Sequence, residues 1–177
     1  LLRKLFPVSI LLLLALLSKF SFSVSLQHSY QGEPYFETVT ENIITNGIIT
    51  ALASDQQGFL WIGSQEGLFR YDGNEFKVWR FNAEPGYSIP ANYIRSIYPA
   101  DNGEIWVAIQ GLGISIINPK KQTVRIIRQL ANGDGLSNDV VLDIKGGINN
   151  DVWVGTIDAL DHFTQSGIHL KSYPINI

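Results

Sequence analysis

The chain has 177 residues, 45% hydrophobic and 16% charged, which suits about one packed domain and excludes a disordered chain. It contains no cysteine, which excludes disulfides, thiolate metal sites and a thiol nucleophile. The formal net charge is -3 and no basic cluster is present, which argues against a nucleic-acid partner.

Residues 1–25 are predicted to be a secretory signal peptide. Arg3 and Lys4 precede an apolar run at residues 5–17, and a serine-rich stretch follows the run. A basic start, an apolar segment and small polar residues together are typical of an export signal. A retained N-terminal anchor is the alternative, although the run is shorter than the ~20 residues of a membrane span.

Residues 26–47 are predicted to be a lead-in that contains one strand. The segment 34–40, PYFETVT, resembles the last strands of the repeats that follow it. No companion strands precede this segment. We therefore expect it to be the outer strand of a sheet whose other strands lie beyond residue 177.

The rest of the chain is an internal repeat. Trp61, Trp106 and Trp153 lie 45 and 47 residues apart, within similar surroundings. Each copy opens with an asparagine, at Asn46, Asn92 and Asn138. A fixed period of this length indicates a repeat architecture.

Each copy is predicted to form four short strands separated by polar or glycine-containing turns. The first strands read IITALAS, IRSIYPA and VVLDIKG, and the tryptophan strands read FLWIGS, EIWVAI and DVWVGT. The third strands read GLFRYD, GISIIN and ALDHFT. The fourth strands, EFKVWR, TVRIIR and IHLKSY, alternate apolar and polar residues, as half-exposed outer strands do.

Four antiparallel strands in about 45 residues are the pattern of one β-propeller blade. The sequence therefore predicts an all-β propeller with about three four-stranded blades, at residues 48–91, 92–138 and 139–177, and an incomplete ring. We expect each tryptophan to fill the wedge between blades, and Gly63 and Gly155 to allow close approach of strands. A β-sandwich is the alternative, but it has no reason to repeat. Since propellers have about four to eight blades, we expect the chain to be the N-terminal part of a longer protein, or alternatively a truncated gene product.

The repeat resembles the two-component regulator propeller family. Copy one, ITALASDQQGFLWIGSQEGLFRYDG, has the family's Asp-x-x-Gly turn, its Trp-Ile-Gly-Ser segment and its Gly-Leu before an aromatic residue. The segment DGLSND, residues 134–139, resembles the lead-in to such repeats. Copies two and three depart from the pattern at Ala108, Ile109 and Ala159.

The resemblance implies the periplasmic sensor region of a bacterial signalling protein held in the inner membrane. Such regions stand before a membrane span and an output module, commonly a histidine kinase, often a hybrid one, or a diguanylate cyclase. No output module is visible here. An exported propeller enzyme, such as a lyase or a glycan-acting protein, and a stand-alone protein-binding scaffold are the alternatives.

The residue pattern indicates no catalytic residue, no metal site and no cofactor. Asp158, Asp161 and His162 lie close together, but Asp161 and His162 are neighbours in a predicted strand and must face opposite sides. We therefore interpret this group as a surface polar cluster. The residues next to His28 and His169 in the sequence do not form a catalytic or metal-binding motif.

A ligand face is predicted where the turns between second and third strands meet the connections between repeats. We expect an oligosaccharide or another small extracellular ligand there, and a dimer partner is also consistent with a sensor. Tyr87 and Tyr93 are expected to stack on a sugar ring, or alternatively to cover blade edges. The predicted binding residues are Ser64, Gln65, Glu66, Tyr87, Tyr93, Gln110, Thr156 and Asp158.

Overall fold

A computed structural model describes residues 47–175. The predicted signal peptide, His28 and the predicted strand at 34–40 lie outside the described residues.

The described residues form twelve strands. The first repeat contains β1 (Ile49–Ser54), β2 (Leu60–Ser64), β3 (Leu68–Tyr71) and β4 (Phe76–Trp79). The second contains β5 (Ile94–Pro99), β6 (Ile105–Ile109), β7 (Ile114–Asn118) and β8 (Thr123–Ile127). The third contains β9 (Val141–Gly146), β10 (Asp151–Thr156), β11 (Ala159–Thr164) and β12 (His169–Pro174).

Each repeat is one four-stranded antiparallel sheet in which neighbours in sequence are neighbours in space. We call these sheets blade 1, blade 2 and blade 3. The prediction of an all-β propeller built from four-stranded blades is confirmed.

The turns form where the sequence supplies residues that bond their own backbone. The Asp72 carboxylate, at the β3–β4 turn, accepts hydrogen bonds from the backbone N–H groups of Asn74 and Glu75, at 2.9 and 2.7 Å. Gly73, which follows Asp72, has a φ of 99°, which suits a residue without a side chain. The Asp-Gly pair thus reverses the chain between β3 and β4.

The blades fan out from their first strands. Strand β1 contacts β5, and β5 contacts β9, whereas the fourth strands lie at the far edges of their sheets. Two side-chain hydrogen bonds join the first strands of successive blades. Thr50 Oγ1 donates to the Ile94 carbonyl at 2.6 Å, and Ser96 Oγ donates to Asp143 Oδ1 at 2.7 Å.

Two apolar cores lie between the blades. Trp61 and Trp79 pack with Ile105 and Val107 in the core between blades 1 and 2. Trp106 packs with residues of β9, β10 and β11, including Val154, in the core between blades 2 and 3. These two repeat tryptophans are fully buried between blades, as predicted.

Trp153, on the far face of blade 3, has different surroundings. Its ring stacks on that of His162 at 4.1 Å between centroids and 7° between planes, and it lies beside Tyr173. Trp153 is only partly buried. The third repeat tryptophan therefore does not fill a wedge between two described blades.

The two glycines of the tryptophan strands also differ. A Cβ on Gly63 would lie 2.6 Å from Ile94 Cγ2, so blade 2 approaches blade 1 too closely there for a side chain. A Cβ on Gly155 would lie 3.9 Å from its nearest neighbour, the Asp143 carbonyl. The prediction of close approach is correct for Gly63, whereas no described residue crowds Gly155.

Within residues 47–175, no helix has the length and apolar character needed to cross a membrane.

Candidate functional site

Each first strand contains one residue that has no partner in the ladder to the second strand. The register jumps from Ile49 to Ala51 in β1, from Ile94 to Ser96 in β5 and between Val141 and Asp143 in β9. The extra residue of such a β-bulge is aimed differently from its neighbours. The three bulge residues are Thr50, Arg95 and Leu142.

The bulge residues line one depression together with Tyr93. Its volume is about 290 Å³, near the lower end for small-molecule sites. Because the bulge residues belong to the first strands of three blades, the depression lies where the blades converge. We call it the axial mouth, defined by Thr50, Tyr93, Arg95 and Leu142.

Equivalent backbone positions surround the axial mouth in each blade. The N–H group that follows the second strand donates to the residue before the first strand: Gln65 to Ile48, Gln110 to Tyr93 and Ile157 to Val140. Each blade therefore presents three matched positions: the residue before its first strand, the bulge residue, and the residue that follows its second strand. The matched sets are Ile48, Thr50 and Gln65 in blade 1, Tyr93, Arg95 and Gln110 in blade 2, and Val140, Leu142 and Ile157 in blade 3.

The matched sets differ in chemistry. Blade 2 supplies an aromatic ring, a guanidinium and an amide, whereas blade 3 supplies three aliphatic side chains. Leu142 and Ile157 are 44% and 49% exposed, which leaves apolar surface facing solvent. The site is therefore polar on one side and apolar on the other.

Arg95 is the cation of the axial mouth. Its guanidinium Nη1 donates to Gln110 Oε1 at 3.3 Å, and among residues 47–175 no carboxylate forms an ion pair with it. Arg95 is also exposed. Its charge is thus available to a ligand at the mouth.

Asp143 lies next to Leu142, and its carboxylate has a charged partner within the protein. Burial would raise the pKa of its carboxyl, but hydrogen bonds from Ser96 and Lys145 outweigh this effect and hold the pKa below its ordinary value. Lys145 Nζ lies 3.1 Å from Asp143 Oδ2. The Asp143 charge is therefore paired, unlike that of Arg95.

The predicted residues Gln65, Gln110 and Tyr93 occupy matched positions around the mouth, and Tyr93 lines it with 38% of its surface exposed. Glu66 and Asp158 lie in the same set of turns but make local contacts. The Glu66 carbonyl accepts from Arg80 Nε at 3.1 Å, and Asp158 Oδ2 accepts from Asn138 Nδ2 at 2.7 Å.

Ser64 and Thr156 are buried turn residues. Ser64 Oγ donates to the Gly67 carbonyl at 3.2 Å and accepts from the Glu66 N–H at 2.9 Å. Thr156 Oγ1 donates to the Ala159 carbonyl at 3.0 Å. Both hydroxyls close the turn after the tryptophan strand, so in this structure they are not presented to a ligand.

Tyr87 lies away from the axial mouth. Its ring packs on Trp79 at 5.3 Å, and its hydroxyl accepts from Gln122 Nε2 at 2.9 Å. Gln122 follows β7, whereas Gln110 precedes it, so the two residues lie at opposite ends of that strand. Tyr87 therefore covers the boundary between blades 1 and 2, which is the alternative role considered for it.

The sequence pattern did not indicate Thr50, Arg95 and Leu142 as site residues. A period-two pattern does not reveal an extra residue in a strand with apolar residues on both sides. A usable signal exists, since each bulge residue precedes the tryptophan of its own blade by the same number of positions.

Asp161 and His162 are consecutive residues of β11, so their side chains lie on opposite faces of blade 3. Asp161 is fully buried, and its Oδ2 accepts from the backbone N–H and hydroxyl of Ser137, both at 2.9 Å. His162 lies on the opposite face, where Nε2 is 2.6 Å from Asp151 Oδ2. The prediction that Asp161 and His162 face opposite sides is confirmed, but the interpretation of the group as a surface cluster is wrong for Asp161, which is buried.

Two segments of the chain, residues 43–66 and 88–111, match the family described as two component regulator propeller. No curated protein sequence matches the chain.

Solved structures with the same fold include two from B. thetaiotaomicron. One, described as the extracellular domain of a hybrid two component system, is 23% identical, with a TM-score of 0.67 over 79% of this chain and 20% of that chain. Another, described as the extracellular domain of a one component system, is 18% identical, with a TM-score of 0.59 over 72% of this chain and 19% of that one.

Virginiamycin B lyase from Staphylococcus aureus is 14% identical, with a TM-score of 0.54 over 73% of this chain and 42% of that one. The chain thus spans about a fifth of the two B. thetaiotaomicron chains and less than half of the lyase. The likenesses show a shared propeller fold. The two matched segments are similar to two-component regulator propeller repeats.

Proposed function

We propose that the chain is the ligand-binding part of an extracytoplasmic sensor in a bacterial signal-transduction protein, without a catalytic role of its own. The single observation that carries this proposal is the axial mouth, where equivalent positions of three blades converge but carry different side chains. Repetition of the backbone with variation of the side chains suits selective recognition.

The surroundings of the mouth support a signalling role. The bonds from Thr50 to Ile94 and from Ser96 to Asp143 join successive blades at or beside the bulge residues. A ligand that contacts two blades would stabilise one relative position of those blades over others. Binding energy would then shift the packing of the domain, which is what a sensor requires.

The location and attachment belong to the same proposal. The basic and apolar start of the chain favours export, and two of the structures that share the fold are extracellular domains of signalling systems. We place the domain in the periplasm, attached to the inner membrane through a downstream segment, with a small extracellular molecule such as an oligosaccharide as ligand. Pairing of two copies is a further route for the signal.

The proposal is tested in the host with the gene as it occurs there. The gene is deleted, cells are grown on single oligosaccharides, and the transcriptome is compared with that of the parent strain. A sensor predicts that induction of a defined gene set by one class of saccharide is lost, while growth on glucose is unchanged. Loss of an enzymatic activity from the cell envelope, with induction intact, would instead show an exported enzyme and contradict the proposal.

A further inference from the structure

We infer that the axial mouth binds a ligand with a carboxylate on a ring that has an apolar face, the chemistry of a uronic acid residue, and that Arg95 anchors the carboxylate. The inference rests on the proposed sensor function and specifies the ligand class of the same site.

The positive charge of Arg95 favours a ligand with a carboxylate. A guanidinium offers donors in a fixed fork that matches a carboxylate, and such charge-assisted pairs are stronger than neutral hydrogen bonds. Arg95 already donates from Nη1 to Gln110, an amide that orients the side chain without neutralising it. The two matched positions in blades 1 and 3 are Thr50 and Leu142, so blade 2 alone places a cation at the bulge.

The ring-shaped part of the ligand follows from the neighbours of Arg95. Tyr93 lines the same depression and exposes part of its ring. Leu142 lies in the depression as well, and Ile157 occupies a matched position of the same blade as Leu142. An aromatic ring and aliphatic side chains suit a ligand with an apolar face, such as the C–H face of a pyranose.

Hydrogen bonding from blade 1 completes the match. The Thr50 hydroxyl proton is committed to the Ile94 carbonyl, at 2.6 Å. Its oxygen lone pairs can still accept a hydrogen bond from a ligand hydroxyl. A sugar acid has hydroxyl donors as well as the carboxylate, so it can use Thr50 and Arg95 together.

The test compares two probes with the same sugar rings, one with ionised carboxylates and the other with uncharged methyl esters. Tri-galacturonic acid and its fully methyl-esterified form are titrated into the full chain by isothermal titration calorimetry at low salt. The acid is expected to bind at least about tenfold more tightly than the ester, because the ester cannot form the charge-assisted pair with Arg95.

Two variants locate the charge. Arg95→Gln removes the cation at the mouth, and Lys121→Gln removes one from the β7–β8 turn, at the other end of β7 from Gln110. Arg95→Gln is expected to bind acid and ester equally, whereas Lys121→Gln should keep the preference for the acid. Arg95 and Lys121 are both exposed, so both variants should unfold at the temperature of the parent chain.

Three outcomes would overturn the inference. Equal binding of acid and ester by the parent chain would show that Arg95 does not bind a carboxylate. The proposed function would then be that of a sensor of neutral saccharides. A preference for the acid that persists in Arg95→Gln would place the carboxylate elsewhere. Binding of neither probe would exclude this ligand class, while the host experiment would still decide on the sensor function.

Discussion

Asp55 shows how one carboxylate organises a turn and a tryptophan together. Its Oδ1 accepts from the N–H groups of Gln57 and Phe59, at 2.9 and 3.0 Å. Its Oδ2 accepts from the indole N–H of Trp61 at 2.8 Å. The Asp-x-x-Gly turn of the repeat and the tryptophan are thus one hydrogen-bonded unit in blade 1.

Blade 2 keeps the turn but loses the carboxylate. The N–H of Ala100 donates to the Glu104 carbonyl at 2.8 Å. The equivalent bond in blade 1 runs from the N–H of Asp55 to the Phe59 carbonyl at 3.1 Å. Ala100 occupies the backbone position of Asp55, and the aspartate of this turn, Asp101, is one residue further along the chain. As a result, Trp106 Nε1 is buried without a hydrogen-bond partner.

Replacing Asp55 by alanine is therefore expected to destabilise the domain. The variant loses three hydrogen bonds and leaves the Trp61 indole N–H unpaired, so we expect a loss of about 1–3 kcal/mol in the free energy of unfolding. Urea unfolding followed by tryptophan fluorescence measures it. Glu84→Ala is the control, because Glu84 is exposed in the connection after β4 and its replacement should change stability by less than about 0.5 kcal/mol. Equal effects of the two substitutions would refute the assigned role.

The pair formed by Asp151 and His162 gives a dependence on pH. The hydrogen bond from His162 lowers the pKa of Asp151 below its ordinary value. A carboxyl whose pKa is lower in the folded than in the unfolded chain stabilises the fold above its unfolded pKa, about 3.9. This stabilisation is lost as the pH falls through the folded pKa.

Asp151→Asn should therefore be less stable than the parent chain at pH 5–6, and the difference should shrink as the pH falls below about 4. Urea unfolding at a series of pH values follows the difference. Asp134→Asn, in an exposed loop, is the control and should show no such trend. A difference that stays constant down to pH 2.5 would show that the ionised form of Asp151 does not stabilise the fold.

At the scale of the strands, the sequence predicted most of the architecture. The internal repeat and its polar turns located β8, β10 and β11 well, because each run is bounded by residues that break strands. The bulges could not be found in this way, since a local pattern does not show which residue lacks a partner on the neighbouring strand.

The candidate site was predicted only in part, for a related reason. Tyr93 and Gln110 were found because they lie in connections on the predicted face. Ser64 and Thr156 look like surface hydroxyls in the sequence, but their short side chains bond the turn backbone and are buried. Arg95 lies inside a strand, where a charged residue gives no sign that a bulge turns it toward the centre.

The contact between β2 and β5 depends on the absence of a side chain at Gly63. A methyl group there would overlap Ile94, so Gly63→Ala should lower the free energy of unfolding by about 1–3 kcal/mol through overpacking. Gly155→Ala, at the matched position of blade 3, is the control and should change it by less than about 0.5 kcal/mol. Thermal unfolding of both variants tests this. Similar effects at the two positions would mean that blade 2 does not approach Gly63 closely.

At the scale of the whole described domain, the stability comes from faces shared between blades. A twisted four-stranded sheet cannot bury both of its own faces, so each blade depends on its neighbour. Blade 2 has a core on both faces, which include Val107 on one side and Trp106 on the other. The axial mouth exists because this stacking brings three first strands together.

Face-to-face stacking of consecutive repeats is most directly tested by cross-linking, since the chain has no cysteine of its own. Gln56 of blade 1 donates to Asp101 of blade 2 at 2.6 Å, and both are exposed. With Gln56→Cys and Asp101→Cys together, a short bis-maleimide should link the pair rapidly in buffer and slowly in urea. The control pair of Gln56→Cys with Lys171→Cys, on the outermost strand of blade 3, should link slowly in both. Equal linking rates for the two pairs in buffer would contradict the stacking of blades 1 and 2, and with it the axial mouth.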